Sequence, residues 1–261
     1  MSRKAVISTA VSPIHREPLF SSEMVTQALM WEQVEILNED NLWFHIRQED
    51  GYEGWIYTFY MIENAESYEN WLTLNNRFIP FASNEDDAGE HRSLSFGTQV
   101  PVLEENNQSV TIVLPGEIVG TIPSQIRDLE KSRRQLITLA KSLLGTPYIW
   151  GGKSAFGFDC SGFVQLVFKT MGINIARDTG MQVKSAWVHE ISINEANAGD
   201  LVFFAEDEKI NHVGISLGEG KIIHCSGEVK IESIIEGDAG FNPWLSQSFF
   251  KTFSISEKVF D

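Results

Sequence analysis

The chain has 261 residues, a hydrophobic fraction of 43%, aromatics at 11%, and a formal net charge of −16 from 20 basic and 36 acidic side chains. That length suits one or two ordinary domains, or three small ones, with ample apolar material for packed cores. The acidic balance argues against electrostatic binding to nucleic acid or anionic membranes and predicts repulsion from a polyanionic wall; simple solubility is the plainer reading of the same charge.

Residues 1–64 hold short strand-like runs separated by polar turns. Trp31 to Leu37 alternates in part, and Asn41 to Arg47 is followed closely by Glu49 to Ile56 with Asp-Gly and Glu-Gly turns. Close strands of this kind predict a small β-barrel. A similar order recurs later, with Phe96 to Leu103 parallel to the run at Trp31, and Ser109 to Ile122 parallel to Leu42 to Ile56. This internal repeat predicts two small barrels, over residues 1–64 and 65–123, with a single domain over the first 124 residues as the alternative. Between them Ser83 to Glu90 reads as a solvated acidic loop.

From Pro123 the pattern becomes helical. Ile126, Leu129, Leu136, Ile137, Ala140 and Leu144 predict an amphipathic helix from near Ser124 to Gly145, opening a third domain over residues 124–261. Next comes Pro147 to Gly152, then Phe158-Asp159-Cys160-Ser161-Gly162-Phe163. Phe163, Val164, Val167, Phe168 and Met171 fall at helical spacing after Cys160, and Gly172 ends the run. Cys160 is thereby placed at a helix N-terminus, where the peptide dipoles favour a nucleophilic thiolate. A small buried cysteine is the plainer reading. Asp159 and Ser161 are of the types that cap helices.

Asn211 to Leu217, a Gly218-Glu219-Gly220 link and Lys221 to Gly227 read as a β-hairpin. With residues 218–220 as the loop, Leu217 falls opposite Lys221 and Gly214 opposite His224. His212 and His224 are then diagonal neighbours on one face. One ring can act as base and the other can orient it, the logic of a catalytic triad. The segment Gly237 to Asp261 carries strand-like alternation near Phe249 to Ile255 and is expected to complete the same sheet. His15, His45, His91 and His189 have no partners at telling spacing and read as surface or structural. No cluster has zinc-ligand spacing and there is no phosphate loop, so no metal and no cofactor are expected.

These motifs resemble the NlpC/P60 family of bacterial cell-wall cysteine peptidases. The matching pieces are Gly145 to Gly152, Phe158 to Phe163, Arg177-Asp178-Thr179, Gly199 to Phe204, His212 to Ile215 and His224 to Ser226. Departures are small: Ala198 stands where proline is usual, and Cys225 where alanine is common. The barrels resemble bacterial SH3-like domains, whose Gly-Trp-Ile turn is clear at Gly54-Trp55-Ile56 and degraded at Gly120-Thr121-Ile122. The resemblance implies an α+β, papain-like catalytic domain behind two small SH3-like β-barrels. It assigns Cys160, His212 and His224 as the catalytic set.

The muropeptide-processing branch of that family hydrolyses the γ-D-glutamyl bond to the diamino acid in L-Ala-γ-D-Glu-diamino acid peptides, and this is the implied activity. Asp159, Ser161, Asp178 and Thr179 would line the pocket for the substrate's amino end. Arg177 serves equally as a structural ion-pair partner. Tyr148 lines the cleft or donates near the oxyanion, with core packing as the other reading. In multi-domain relatives a tyrosine of the first SH3-like domain meets the substrate, which here points to Tyr57 over Tyr60; packing within the barrel is the alternative. The expected partner is a small peptide substrate, with no nucleic acid, no membrane and a monomeric chain. Rival readings are another thiol amidase or acyltransferase on the same scaffold, and a wall-binding protein with an inactive peptidase domain.

Two cysteines make no disulfide framework, and oxidation of Cys160 with Cys225 would abolish such an activity. With no apolar core in residues 1–10, no signal peptide is evident, and a reducing, cytoplasmic location is expected.

Overall fold

A computed structural model describes residues 3–84, 91–124, 129–185 and 188–260. The chain divides into two compact units, Met1–Asp128 and Leu129–Asp261.

The first unit is built from strands. β1 (Arg3–Ile7), β2 (Val11–His15), β3 (Met24–Leu29), β4 (Gln33–Asp40), β5 (Trp43–Gln48), β6 (Glu53–Tyr57) and β7 (Met61–Glu63) form one sheet in the order β3-β2-β6-β5-β4-β1-β7. β8 (Trp71–Thr73), β9 (Phe78–Ser83), β10 (His91–Ser95), β11 (Gln99–Glu105), β12 (Ser109–Leu114) and β13 (Ile118–Pro123) form a second, in the order β10-β9-β13-β12-β11-β8. Among the described residues no pairing joins the edge strands of either sheet. The hydrogen bonding is therefore that of antiparallel sheets, and the closure expected of two barrels is not part of it. Residues 85–90 of the acidic loop lie outside the described residues.

Alternation sets which face is buried. In β9, Ile79 and Phe81 point inward while Phe78 and Pro80 are exposed. Ile7, Ile14, Val34, Ile46 and Ile56 pack in the core of the first sheet. A second core gathers Leu72, Phe81, Val100, Ile112 and Leu114, and it also takes Val6, Met30 and Trp31 from the first sheet's side. The Trp31 indole N–H donates to the Val113 carbonyl oxygen at 3.0 Å, which satisfies a polar group that would otherwise be buried unpaired.

The second unit opens with α1 (Arg133–Ser142), which starts later than the helix expected from near Ser124. Ser132 has extended backbone, and its hydroxyl caps Gln135 N at 3.2 Å, so the helix begins only after it. The apolar spacing at Ile126 and Leu129 suggested an earlier start, but Ile126 lies outside the described residues and Leu129 is not helical. Arg133 ties the helix to the sheet: Nη1 bonds buried Asp200 Oδ1 at 2.7 Å and Nη2 bonds the Ile255 carbonyl at 2.6 Å.

The short pair β14 (Lys153–Ser154) and β15 (Gly157–Phe158) leads into α2 (Cys160–Thr170), whose residues from Cys160 to Phe168 are all buried. α3 (Thr179–Gln182) follows. β16 (Val188–Ile191), β17 (Leu201–Glu206), β18 (Lys209–Gly218), β19 (Lys221–Ser226), β20 (Glu228–Ser233) and β21 (Phe249–Ile255) form one antiparallel sheet in the order β16-β21-β17-β18-β19-β20. The carboxy-terminal segment does complete this sheet through β21, and it also contains α4 (Pro243–Ser248). A buried helix packed on an antiparallel sheet makes this unit α+β.

Candidate active site

The approach to α2 sets the position of Cys160. Asp159 is the N-cap, with φ −92° and ψ 179°, and its Oδ1 accepts from Gly162 N at 2.7 Å. Gly162 lies so close to the preceding loop that a Cβ there would fall 2.1 Å from the Gly152 carbonyl oxygen. Glycine at 162 therefore lets the first turn of the helix press against that loop. Cys160 is the first helical residue, as expected. Its Sγ lies 3.9 Å from the Asn211 carbonyl oxygen, and the Val213 and Ser161 N–H groups are within hydrogen-bonding reach of it. The sulfur thus sits against the backbone on both sides of His212.

The hairpin β18–β19 carries the two histidines. Gly214 pairs with His224, as the alternation predicts. The end of the hairpin differs: Gly218, in place of Leu217, pairs with Lys221. Glu219 and Gly220 have φ of 50° and 71°, a tight two-residue loop, so the extra residue is absorbed as an irregularity at Leu217. The part that places the histidines is unaffected.

His212 Nε2 lies 2.8 Å from His224 Nδ1, with ring centroids 5.0 Å apart and planes nearly perpendicular. A side chain at position 214 would obstruct this arrangement, since a Cβ there would fall 3.0 Å from His224 Cβ and 2.4 Å from Ile222 Cγ2. His224 Nε2 in turn lies 2.9 Å from Glu232 Oε2, which accepts from Asn242 Nδ2 at 2.8 Å. Lys230 Nζ stands 3.3 Å from Glu232 Oε1. Trp244, on α4, packs its ring against His212 at 5.6 Å.

Electrostatics correct one expectation. Burial, followed by the charge of Asp159, pushes the Cys160 thiol up to about 11, so the helix terminus does not leave a standing thiolate. Burial, His224 and Lys230 push His212 down to about 3. Burial also lowers His224, against the opposing pull of Glu232. Both shifts favour the uncharged forms, a thiol at Cys160 and an imidazole at His212.

Other expected residues fall as follows. The Asp159 carboxylate is bound at both oxygens by Arg177, at 3.0 Å and 2.5 Å. Ser161 Oγ donates to Asp159 Oδ1 at 3.2 Å and accepts from Arg177 Nη1 at 2.9 Å. Asp178 is exposed at the start of α3 and Thr179 is half-buried there. Tyr148 is half-buried, its N–H bonded to the Gly227 carbonyl at 2.8 Å. Burial and then the neighbouring Cys160 push its phenol up to about 12, so it remains a donor at neutral pH. Cys225 is a free, fully buried thiol that donates to the Phe158 carbonyl and is pushed up to about 12 by burial. Tyr57 belongs to the first unit, where its half-buried ring packs with Trp43, Phe20 and Phe59.

The sequence reading missed Glu232, Asn242, Trp244 and Gln182. Gln182 Nε2 bridges the Ser161 and Ala176 carbonyls at 3.0 Å and 2.9 Å and so ties the Arg177 segment to α2. Glu232 had a usable signal: continuing the hairpin ladder through Gly227 puts Lys230 opposite His224 and Glu232 on its diagonal. Among the described residues, no group of three or more His, Cys, Asp or Glu side chains is placed to hold a metal ion.

The NlpC/P60 family profile matches residues 145–242, and that of the bacterial dipeptidyl-peptidase SH3 domain matches residues 14–58. A gamma-D-glutamyl-L-lysine dipeptidyl-peptidase of Bacillus cereus is 30% identical over 227 residues, covering 78% of this chain and 68% of that protein. The chain belongs to the NlpC/P60 family. A second gamma-D-glutamyl-L-lysine dipeptidyl-peptidase, from Bacillus subtilis, is 30% identical over 215 residues, covering 76% of this chain and 71% of its own. The crystal structure of an NlpC/P60 family protein from Bacillus cereus shares the fold with a TM-score of 0.82 at 22% identity, over 95% of this chain and 98% of that one. The protein is thus a hydrolase of the NlpC/P60 family carrying an N-terminal SH3-like domain.

Proposed function

We propose that this protein is a cysteine peptidase that hydrolyses the γ-D-glutamyl–diamino acid bond of muropeptides bearing a free N-terminal L-Ala. The observation that carries the reading is the 2.8 Å contact between His212 and His224, with the Cys160 sulfur against the backbone flanking His212. The names of the two Bacillus relatives supply the substrate class.

The chemistry follows from the neutral thiol–imidazole pair. His212 Nδ1 takes the Cys160 proton as Sγ bonds to the γ-carbonyl carbon. The Cys160 backbone N–H and the Tyr148 hydroxyl are the donors proposed for the oxyanion. Collapse of the tetrahedral adduct breaks the C–N bond. His212 delivers its proton to the departing amine, leaving a thioester that water hydrolyses with His212 again as base.

Asp159, Ser161, Asp178 and Thr179 are proposed to receive the amino end of the substrate. Asp159 Oδ1 accepts from Gly162, Ser161 and Arg177, and Oδ2 accepts from Arg177; the carboxylate is the acceptor proposed for the amine. We further propose that residues 1–64 and 65–123 are two SH3-like domains sharing an apolar core, and that the chain acts as a monomer. Processing of released fragments in a reducing, cytoplasmic setting would suit the two free thiols.

Mass spectrometry after incubation with L-Ala-γ-D-Glu-diamino acid peptides in ¹⁸O-water tests the reading. Release of L-Ala-D-Glu carrying one ¹⁸O is expected. Products without the label would indicate acyl transfer, and an unchanged peptide would overturn the assignment.

A further inference from the structure

We infer that Glu232 is a positioning residue of the proposed reaction, dictating through His224 which nitrogen of His212 is free to act as the base. The inference rests on the reading of His212 as base and extends it by one residue.

The argument begins with what each atom can donate. An ionised carboxylate only accepts hydrogen bonds. Glu232 Oε2 lies 2.9 Å from His224 Nε2, so that nitrogen must carry the proton. A neutral His224 then has a bare Nδ1, and His212 Nε2, 2.8 Å away, must be the donor to it. His212 is thereby left with a bare Nδ1, the acceptor needed for the Cys160 proton. One carboxylate thus settles two tautomers in series.

Neighbouring groups hold Glu232 in this role. Asn242 is the N-cap of α4, and its Oδ1 accepts from Trp244 N and Leu245 N at 2.9 Å and 3.3 Å. Its amide orientation is therefore committed, and Nδ2 must point at Glu232 Oε2. Lys230 attends the other oxygen at 3.3 Å. Burial alone would raise the carboxyl, but Asn242, His224 and Lys230 together keep it below the ordinary carboxylate value, and so ionised. The same carboxylate stabilises the positive charge that reaches the histidine pair when His212 takes the proton.

Glu232→Leu and Glu232→Gln separate the acceptor from the charge. Glu232 Oε2 serves both His224 Nε2 and Asn242 Nδ2, so a glutamine whose amide oxygen takes that place, as the committed Asn242 amide requires, keeps His224 protonated on Nε2. Leucine offers no acceptor. Nothing then holds the proton on Nε2, His224 donates from Nδ1 to His212 Nε2, and His212 is left carrying its own proton on Nδ1. The full-length protein should be compared with both variants by ¹⁵N NMR of the histidine rings, and by kcat and KM on the free tripeptide. In the unsubstituted protein and in Glu232→Gln, His224 is expected in the Nε2–H form; in Glu232→Leu the Nδ1–H form should become populated. kcat should fall about 10–100-fold in Glu232→Leu, the range for outer partners that orient a functional histidine, with KM unchanged. Glu232→Gln should regain a large part of kcat. An Nδ1–H form of His224 in the unsubstituted protein, unchanged tautomers in Glu232→Leu, or an unchanged kcat in that variant would each overturn the inference. The NMR reading needs no substrate, so failure of the unsubstituted protein to cleave the tripeptide would count against the proposed function and leave this test standing.

Discussion

Asp159 and Arg177 form a two-pronged buried ion pair immediately ahead of Cys160, with Nη2 to Oδ2 at 2.5 Å and Nη1 to Oδ1 at 3.0 Å. The carboxylate that caps α2 is thus held from two directions, by the helix it starts and by a guanidinium eighteen residues on. Removing one partner of such a pair strands a charge in a poorly solvated place. Arg177→Met is expected to lower the unfolding free energy by about 3–5 kcal/mol. Urea unfolding followed by circular dichroism reads this directly; a change under about 1 kcal/mol, typical of a surface pair, would remove Arg177 as the anchor of the helix start.

The two thiols should behave differently. Cys160→Ala is expected to abolish turnover and leave the circular dichroism spectrum unchanged, because one barely exposed sulfur is lost. Cys225→Ala should keep most of the activity, since its sulfur is turned to the Phe158 carbonyl. Reversal of the two results would place the nucleophile at Cys225.

pH should act on stability from both ends. His212 is held down to about 3, so between about pH 6.5 and 3 the unfolded chain binds a proton that the folded one does not. Its contribution is complete above about pH 6.5 and is lost on acidification, at about 1.4 kcal/mol per pH unit. Cys160 is held up to about 11, so its contribution is complete below about pH 9 and is lost as pH rises toward 11. A stability plateau between the two limits is expected in urea titrations. His212→Ala should flatten the acid limb, though His224 shifts in the same direction and leaves part of it. An acid limb as steep in His212→Ala as in the unsubstituted protein would show that His212 is protonated in the folded state at those pH values.

Recognition of the substrate amine should appear as selectivity. A charged hydrogen bond of the kind proposed at Asp159 contributes about 1.5–3 kcal/mol, enough for tenfold or greater discrimination. The free tripeptide should be cleaved with kcat/KM at least about tenfold above that of its N-acetylated form. Equal values would argue for hydrolysis of the intact wall instead.

The histidine pair was legible in sequence because strand alternation is strict and the glycines at 218 and 220 marked the hairpin. Cys160 was legible because Asp159 and the apolar spacing after it announce a helix start. The position of α1 was not legible, since apolar spacing upstream of Ser132 mimicked a longer helix and only the cap geometry resolves it. The protonation state of Cys160 was hidden as well, because burial is a property of the packed helix and outweighs the helix terminus. Glu232 and Asn242 were missed because one sits on the strand after the hairpin and the other in a segment whose short helix left little periodicity to read.

Trp31 carries a last consequence, for how the first unit comes apart. Its ring and the side chains of Met30 and Val6 belong to the apolar cluster of β8–β13, and its indole is bonded to Val113. Opening either sheet therefore strips buried surface from the other and leaves the Val113 carbonyl without its donor. Protection against amide exchange across residues 3–84 and 91–124 should be lost in a single step, as one foldon. A fragment ending at residue 64 would carry an uncovered tryptophan and an apolar face with nothing to pack against.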